Sequence, residues 1–442
     1  MVTVTPAATK AAVSGSISSL GNNGATSCDV YISLNGASAT RLGTGVAGAF
    51  NYTVTGLAPG TQYAYTLTVS NNAATVMGAE TSSSFTTTAK PAAVEPGATP
   101  AETRQAIQSA IDAAAAESPA GAVTLGEGEF EIDDELKVSN GITLVGQGWE
   151  RTTLKQTVSG KRVVTVGEAS RLEGVTVTGG KITDSWTQGA GVLVDGGTVS
   201  FCRITGNGST ATGAGGVGVG LKKGSVDHCV IDNNKSTGSS TVGGGVGVDA
   251  PTGPVLVDTC LIYGNFAKNG GGIGAGFKNN HQLLTVRNTT IANNAAESGC
   301  ALYEEQNLSG TKYDLKLENC VIADNQSGSV TGIAFYSYSG EANAAKARAG
   351  CEAQSYGNVL ANGETFGEKS KTVAGGGAGW FVDAANGDYH LAAGSAPIGA
   401  GTTYDGIGND LDGRLFATTP SAGCYEFVGA VIERKGAIFA IW

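Results

Sequence analysis

The sequence predicts an all-β fold of stacked repeats, and the main observation behind this prediction is an asparagine that recurs at a near-constant interval. Five segments place an isoleucine three residues before an asparagine: Ile204–Asn207, Ile231–Asn234, Ile262–Asn265, Ile291–Asn294 and Ile322–Asn325. Successive asparagines are 27, 31, 29 and 31 residues apart, and this period indicates one structural unit stacked on itself. Because an amide group both donates and accepts hydrogen bonds, a column of asparagines can satisfy the polar groups that stacking buries.

The second observation is the composition. The 442 residues include 69 Gly and 10 Pro, and 15% of them are charged. A chain with this much glycine, and rich in Val, Ile, Thr and Asn, typically forms short strands joined by tight turns. The formal net charge of −11 repels phosphates, so we expect no nucleic-acid partner. No run of 18 apolar residues occurs, so we expect no membrane-spanning helix.

The first 90 residues predict a separate β-module. The runs Cys28–Leu34 and Tyr63–Val69 alternate with period two and are separated by Gly/Asn turns. The segment Leu57–Tyr63 resembles the corner of a fibronectin type III domain, where the tyrosine closes the loop before a central strand. Ser84–Thr87 resembles the last strand of that fold. We therefore assign residues 1–90 to a fibronectin type III-like β-sandwich.

A linker at residues 91–98 and a capping helix at residues 99–118 are predicted next. Thr99 and Glu102 form a capping box, and Pro100 stands at the first helical position. The apolar face of this helix consists of Ile107, Ala110, Ile111 and Ala114. A stack needs such a cap because its first strands would otherwise form a bare edge.

Each repeat from about Gly174 contains two recurrent strands. One precedes the asparagine: Val199–Ile204, Val226–Ile231 and Val257–Ile262. The other is rich in glycine: Gly191–Val194, Gly216–Val219, Gly245–Val248 and Gly272–Ala275. With period two, Val and Ile point inward. The outward positions are then Leu193, Gly218, Gly247 and Gly274.

Four cysteines stand two residues before a repeat isoleucine: Cys202, Cys229, Cys260 and Cys320. Stacked strands would place them about 4.8 Å apart. That spacing admits a disulfide, but it equally suits a column of small, packed thiols. We predict the reduced column.

Together these strands resemble a right-handed parallel β-helix of the pectin-lyase-like type. Val123–Phe130 and Ile142–Gly148 resemble the usual opening of such domains. Five late segments resemble the closing part of secreted bacterial β-helix proteins of the choice-of-anchor Q type: Trp380–Ala384, Gly387–Leu391, Ser395–Pro397, Asp410–Arg414 and Gly423–Glu426. The resemblance implies a β-helix over residues 99–430, followed by a tail or terminal strand at 431–442. It also implies a secreted or cell-surface location, a signal peptide trimmed from the sequence, and an extracellular polysaccharide as partner.

The candidate site is the glycine-rich face, where outward glycines are expected to leave a flat floor for a sugar ring. The candidate catalytic residues are Lys222, Lys278, Asp249 and Glu304. The candidate substrate-binding residues are Tyr303, Tyr336, Tyr338, Lys223, His281, Asp195 and Glu305. Aromatic faces beside a polar rim suit sugar binding, and a lysine near carboxylates can supply a base of lowered pKa. The alternative interpretation is that these charges only solvate the stack.

Two further groups of charges favour structural roles. The first is acidic: Glu127, Glu129, Glu131, Asp133, Asp134 and Glu135. Ca²⁺ is the one cofactor it suggests, yet the spacing of a calcium loop is missing, and a solvated edge is the preferred interpretation. The second is expected to clasp the last turn: Asp410, Asp412, Arg414 and Glu426.

Three functions remain open. The chain is a binder of extracellular polysaccharide, a polysaccharide lyase or glycoside hydrolase, or a structural spacer or adhesin. No stretch matches a catalytic set of the resembled family, so we favour a monomeric binder.

Overall fold

The computed structural model divides into two compact units, Met1–Ala92 and Ala93–Trp442. It describes residues 2–6, 10–20, 25–58, 60–71, 76–87, 92–116, 121–249, 251–277, 283–306, 314–327, 332–338, 340–361, 363–373 and 376–427. The predicted tail at 431–442 lies outside these residues.

The N-terminal unit consists of two antiparallel sheets. Its strands are β1 (Thr3–Pro6), β2 (Lys10–Ile17), β3 (Cys28–Leu34), β4 (Thr40–Gly45), β5 (Gly48–Thr55), β6 (Gln62–Asn71) and β7 (Val76–Thr86). The sheet orders are β1-β2-β5 and β4-β3-β6-β7. Val13, Val30 and Leu67 from both sheets share one core. The Tyr63 hydroxyl accepts a hydrogen bond from the Ala58 N–H at 2.8 Å, so it closes the corner as the sequence predicts.

The second unit opens with the predicted helix, α1 (Pro100–Ala115). Thr99 caps it and accepts a hydrogen bond from the Glu102 N–H at 3.3 Å. Ile107 and Ile111 are buried in the main core, so the helix covers the start of the stack as predicted. Val94, within the predicted linker, forms a parallel bridge with Leu125 at the same end.

Short strands fill the rest of this unit. The first group is β8 (Ala122–Thr124), β9 (Gly128–Ile132), β10 (Leu136–Val138), β11 (Thr143–Val145), β12 (Thr152–Gln156), β13 (Val164–Val166), β14 (Arg171–Glu173), β15 (Thr176–Thr178), β16 (Lys181–Ile182), β17 (Val192–Ser200), β18 (Arg203–Thr205), β19 (Gly208–Ser209), β20 (Val219–Asp227), β21 (Val230–Asp232) and β22 (Lys235–Ser236). The second group is β23 (Val246–Asp249), β24 (Val255–Asp258), β25 (Leu261–Tyr263), β26 (Phe266–Asn269), β27 (Ile273–Phe277), β28 (Leu284–Arg287), β29 (Thr290–Ala292), β30 (Ala295–Ser298), β31 (Leu302–Gln306), β32 (Leu315–Glu318), β33 (Val321–Ala323), β34 (Gln326–Ser327), β35 (Ile333–Ser337), β36 (Val359–Leu360) and β37 (Lys371–Thr372). A helix, α2 (Glu341–Ala353), interrupts them. A hairpin, β38 (Phe381–Asp383) and β39 (Asp388–Leu391), follows around a 3-10 turn at Ala384–Asn386.

Three parallel sheets wrap these strands into a β-helix of the right-handed type. The ten-stranded sheet runs from β9 to β37 and the six-stranded sheet from β16 to β34. The fourteen-stranded sheet has two strips, which share the long strands β17 and β20. The glycine-rich strip contains β10, β13, β23, β27, β31 and β35 with the first halves of β17 and β20. The charged strip contains β8, β11, β14, β24, β28 and β32 with their second halves.

The asparagine ladder is confirmed. Each ladder amide from Asn207 to Asn294 donates from Nδ2 to the Oδ1 of the next asparagine at 3.0 Å. The same oxygen also accepts the backbone N–H of the preceding asparagine, for example Asn234 N–H to Asn265 at 3.0 Å. Every ladder residue is buried, so these bonds satisfy groups that water does not reach.

One strand per repeat was predicted before each asparagine, and this prediction is wrong. In each repeat, one residue with positive φ divides the predicted strand in two. The first half lies in the charged strip and the second half lies in the ten-stranded sheet. These residues are Phe201, His228, Thr259, Asn288 and Asn319, with φ from 44° to 53°. The next position carries the predicted cysteine column, whose thiols are buried and free. The prediction of a packed cysteine column is therefore confirmed, and the reduced state remains a prediction.

The predicted open floor of glycines is wrong as well. Leu193 pairs in register with Gly220, not with Gly218, and the column continues through Gly247 and Gly274. A Cβ placed on Gly247 would lie 1.9 Å from the backbone nitrogen of Gly216. The loop before each strand thus lies directly on the outward face, and glycine is needed for close backbone approach.

The closing segment, residues 376–427, is clasped as the sequence predicts. Asp410 is buried and accepts hydrogen bonds from the backbone N–H groups of Asp412, Arg414 and Glu426 at 3.0, 2.7 and 3.0 Å. His390 bridges two carboxylates, with nitrogen–oxygen distances of 2.6 Å to Asp388 and 2.8 Å to Asp412. These bonds pin the closing segment.

The bridge predicts a pH dependence of stability. The hydrogen bond to Asp412 raises the pKa of His390, against the opposing effect of burial. Because the pKa of His390 is higher in the folded than in the unfolded state, its protonation stabilises the fold. This contribution is complete below the unfolded-state pKa of about 6.5 and is lost as the pH rises through the folded-state pKa. Between pH 5.5 and 8.5 the melting temperature of the parent should therefore fall about 1–2 °C more than that of His390→Gln. If differential scanning calorimetry shows the same fall in melting temperature for both proteins, the His390 bridge does not cause the pH dependence.

Candidate functional site

Of the residues predicted for the site, Tyr303, Glu304 and Glu305 lie on β31 and Tyr336 lies on β35, where outward and inward side chains alternate. Tyr303 and Glu305 point outward beside Tyr336, because Glu305 pairs in register with Tyr336. Glu304 was predicted to lie on the outer rim as a catalytic residue, and this placement is wrong. It is 0% exposed, and the Cys351 Sγ of α2 lies 3.7 Å from its Oε2. Period two places it inside the stack next to Leu302 rather than among the lysines.

Lys223, which was predicted to bind substrate, does not have the lowered pKa of a general base. Lys223 is ion-paired with Glu168, whose hydrogen bond and charge raise the pKa of this lysine. A general base would need the opposite shift. Asp195 lies opposite Lys223 in register, and Lys222 is half-buried beside it. These residues form a local charge group separate from the tyrosines.

Three predicted site residues are not fully placed. Lys278 and His281 lie outside the described residues. The Asp249 backbone pairs with Gly276, and its side chain also lies outside what the structure describes.

Tyr303, Glu305, Tyr336 and Tyr338 form one cluster, which we call the tyrosine cage. The Tyr338 hydroxyl donates to Glu305 Oε1 at 2.5 Å, and the Tyr303 hydroxyl lies 3.5 Å from Oε2. The rings of Tyr336 and Tyr338 meet edge to face with centroids 5.2 Å apart. Tyr336 and Tyr338 are 46% and 57% exposed, whereas Tyr303 is 6% exposed. The cage thus presents two open rings above a nearly buried carboxylate.

The cage holds its phenols neutral. The hydrogen bond to Glu305 raises the pKa of Tyr338 to about 12. Burial, followed by the charge of Glu305, raises the pKa of Tyr303 further. Both hydroxyls are therefore hydrogen-bond donors at neutral pH.

A cleft of about 600 Å³ adjoins the cage where α2 covers the end of the stack. It is lined by Asn269, Ser298, Tyr303, Ile333, Ala334, Phe335, Tyr336, Ala344, Ala345, Arg348 and Glu364. Helix α2 packs against β35 and β32, and thereby supplies one wall of the cleft. This size and this mixture of aromatic and polar groups suit a small part of a larger ligand.

Arg348 is the one cation among these lining residues, and acidic partners surround it. Its Nε lies 2.9 Å from Glu352, and its Nη2 lies 3.9 Å from Glu364. The guanidinium also stacks near Phe335 and Phe366, with its central carbon 6.0 and 5.7 Å from the ring centroids. It therefore fixes α2 on the stack rather than offering an unpaired positive charge.

The charged strip carries a second cluster, which sequence reasoning missed. Asp227, Asp258, Arg287 and Glu318 occupy one outward column in register. Arg287 Nε lies 2.6 Å from Asp258 Oδ2, and His228 lies 3.2 Å from Asp227. Burial opposes protonation of His228, but the bond and charge of Asp227 outweigh it and raise its pKa. The recurring Val-Asp-X-Cys pattern was the available signal.

The acidic group near the start is fully ion-paired. Its partners are Arg104, Arg151, Lys155, Lys161 and Arg162. Throughout the described residues, no three His, Cys, Asp or Glu side chains are grouped to share a metal ion. Within the same residues, no helix has the length and apolar character needed to cross a bilayer.

Comparison with solved structures finds several similar proteins, all at low sequence identity. The family 28 exopolygalacturonase of Yersinia enterocolitica is 12% identical with a TM-score of 0.23, over 84% of this chain and 91% of that one. The catalytic unit of a GH87 α-1,3-glucanase from Streptomyces thermodiastaticus is 17% identical with a TM-score of 0.26, over 82% and 77%. Pectate lyase PelI from Erwinia chrysanthemi is 11% identical with a TM-score of 0.17, over 77% and 91%. No curated protein matches the chain.

A family model gives the assignment. The model described as rhamnogalacturonase A/epimerase, pectate lyase-like, matches residues 97–330, which is more than half of the chain. The matched region begins just before α1 and includes the whole asparagine ladder. The chain belongs to the rhamnogalacturonase A/epimerase, pectate lyase-like family.

Proposed function

We propose that this protein binds an extracellular polysaccharide in the cleft between β35 and α2. The observation that carries this proposal is the exposed ring of Tyr336 at the edge of a cleft of about 600 Å³. The apolar face of a sugar ring stacks on such a ring, and nearby polar groups orient its hydroxyls. Membership of a pectate lyase-like family makes a polysaccharide the ligand class that we propose.

We extend this proposal to the whole chain. The corner at Tyr63 supports a fibronectin type III-like domain over residues 1–90. The Asp410 clasp supports a closing segment of the choice-of-anchor Q type, within a β-helix over residues 99–430. Residues 91–98 serve as the linker. A monomeric protein, secreted or attached to the cell surface, fits this organisation.

Binding is favoured over catalysis at the tyrosine cage because the described members of the predicted catalytic set do not meet there. Glu304 lies inside the stack, and Lys222 lies on β20 next to Lys223, which pairs in register with Asp195. The described groups of the cage are phenols and one carboxylate, which suit recognition.

Removing the exposed ring tests the proposal. Tyr336→Ala should weaken binding of an oligosaccharide ligand by about 1–3 kcal/mol, because a stacked aromatic surface is lost. Isothermal titration calorimetry of parent and variant measures this difference. Phe201→Ala is the matched control, since Phe201 is 40% exposed at the turn that follows the charged strip. If Phe201→Ala weakens oligosaccharide binding and Tyr336→Ala does not, the ligand binds near the charged strip and this proposal is wrong.

A second candidate function, glycoside hydrolysis, is favoured by one observation on the charged strip. Asp227 and Asp258 are carboxylates on adjacent strands in direct register, with His228 and Arg287 beside them. Closely spaced carboxylates can act as acid and nucleophile in glycosidases. If this candidate is right, the parent protein releases new reducing ends from a polysaccharide. The Asp258→Asn variant should release none, although its circular dichroism spectrum shows that it is folded.

A further inference from the structure

We propose that residues 402–412, which we call the strap, form a wall of the charged strip whose attachment to the stack depends on pH. Two histidines hold the strap, His228 at a turn of the stack and His390 on β39. The strap is attached when both imidazoles are protonated, and it loosens when either ring loses its proton. This inference concerns the regulation of the charged strip and does not depend on polysaccharide binding at the tyrosine cage.

The strap follows the turns that border the charged strip. Thr402 and the Asn319 side chain exchange two hydrogen bonds, at 2.8 and 2.9 Å. Asn288 donates from Nδ2 to the Tyr404 hydroxyl at 2.5 Å. The Tyr404 ring lies over Arg287, with the guanidinium carbon 5.2 Å from the ring centroid. The strap therefore covers part of the outward column of the charged strip, to which Arg287 belongs.

His228 attaches the strap at Asn409. Its Nε2 lies 3.1 Å from the backbone oxygen of Asn409, and its Nδ1 lies 3.2 Å from Asp227 Oδ1. A carbonyl and a carboxylate accept hydrogen bonds, whereas a neutral imidazole has a single N–H to donate. Both bonds can therefore form together only when His228 is an imidazolium, and a neutral ring leaves one of the two acceptors unpaired.

His390 repeats this arrangement at the other end of the strap. Its Nδ1 lies 2.6 Å from Asp388, and its Nε2 lies 2.8 Å from Asp412, the last residue of the strap. The Tyr425 ring stacks on this imidazole, with centroids 4.1 Å apart. Both partners are again carboxylates, so the two bonds require the protonated ring. Each histidine within the described residues thus stands between two acceptors, one of which belongs to the strap.

The charges that face His228 favour its protonated form. They are Asp227 of β20 and Asp258 of β24, and Asp258 is also paired with Arg287 of β28. Burial disfavours the charged ring, but the hydrogen bond and the charge of Asp227 outweigh it and raise the pKa of His228.

The charges that face His390 act in the same direction. They are Asp388 and Asp412, and Asp412 is also paired with Arg414 at 2.8 Å. The hydrogen bond to Asp412 raises the pKa of His390 against the opposing effect of burial. Attachment is therefore complete below the unfolded-state pKa of about 6.5, and it is lost as the pH rises through the folded-state pKa of either ring.

The test is hydrogen–deuterium exchange of the full 442-residue chain at pH 5.5 and pH 8.5, with rates corrected for the intrinsic effect of pH on exchange. Strap peptides should lose about fivefold or more in protection at pH 8.5, because charge-assisted hydrogen bonds are lost. Peptides of the asparagine ladder should keep their protection. The double variant His228→Gln/His390→Gln should give equal strap protection at both pH values, because glutamine does not titrate.

Tyr404→Phe is the matched control, because it removes the hydrogen bond to Asn288 and keeps an aromatic ring over Arg287. Burial raises the pKa of Tyr404 to about 12, so this phenol does not titrate between the two pH values. The variant should therefore lower strap protection by the same factor at both.

Equal strap protection of the parent at the two pH values would overturn the proposal, as would a pH-dependent loss that persists in the double variant. If the double variant does not fold, ¹³C NMR titration of the labelled histidines of the parent takes its place, with signals assigned by the single variants His228→Gln and His390→Gln. Both rings should titrate above about pH 6.5, and titration of either ring below this value would overturn the proposal.

Discussion

Replacing Gly247 by alanine is expected to destabilise the β-helix by about 3 kcal/mol, the upper part of the usual range for overpacking. The added methyl group would lie 1.9 Å from the Gly216 nitrogen and 2.5 Å from its Cα. Both atoms belong to backbone that is fixed by hydrogen bonds to the neighbouring coil, such as Gly216 N–H to Val242 at 2.9 Å. Urea unfolding followed by circular dichroism measures the change in the free energy of unfolding.

The matched control is Gly408→Ala. No atom lies within 4 Å of a Cβ placed there, so the change should stay within about 0.5 kcal/mol. If Gly247→Ala were as mild as this control, the loop would not cover the glycine-rich strip, and the floor would be open after all.

Replacing Asn265 by leucine is the second change with a large expected effect, a loss of about 3 kcal/mol. The Asn265 Oδ1 accepts both the N–H and the Nδ2 of Asn234, each at 3.0 Å. Its own amide donates to Ile231, Tyr263 and Asn294 at 2.8, 3.0 and 3.0 Å. Leucine has a similar volume but leaves several of these buried partners unpaired, at about 1–3 kcal/mol for each group.

Thermal unfolding and urea unfolding of Asn265→Leu should both report this loss. Asn386→Leu serves as the control, because Asn386 is exposed on the 3-10 turn of the closing hairpin. A stable Asn265→Leu protein would contradict the central role of the ladder.

Local residue patterns were sufficient to predict the ladder and the first helix. The period of the asparagines fixes which residues share a column, because each amide needs a partner one coil away. Thr99, Pro100 and Glu102 mark the start of α1 through local chemistry that tertiary contacts do not alter. The alternation of β31 would also have placed Glu304 inside, had period two been applied to it as to its neighbours.

Other features were not predictable from local residues alone. A glycine in a strand signals either open space or close approach of another backbone, and only the fold decides between them. The left-handed turns at Phe201 and Thr259 gave no signal, since neither residue type favours positive φ. Helix α2 begins after Gly340 with no side-chain cap, although its run of Ala, Lys, Arg and Glu has high helix propensity.

The cleft itself depends on these missed features. Helix α2 supplies Ala344, Ala345 and Arg348 to its lining. The sequence therefore identified Tyr303 and Tyr336 as neighbours but not the wall that faces them.

The most direct test of polysaccharide binding at the tyrosine cage is a crystal structure of the chain with an oligosaccharide that it binds. The proposal predicts sugar density stacked on Tyr336, within the cleft between β35 and α2. Density on the charged strip beside Asp227 and Asp258, with an empty cleft, would contradict it.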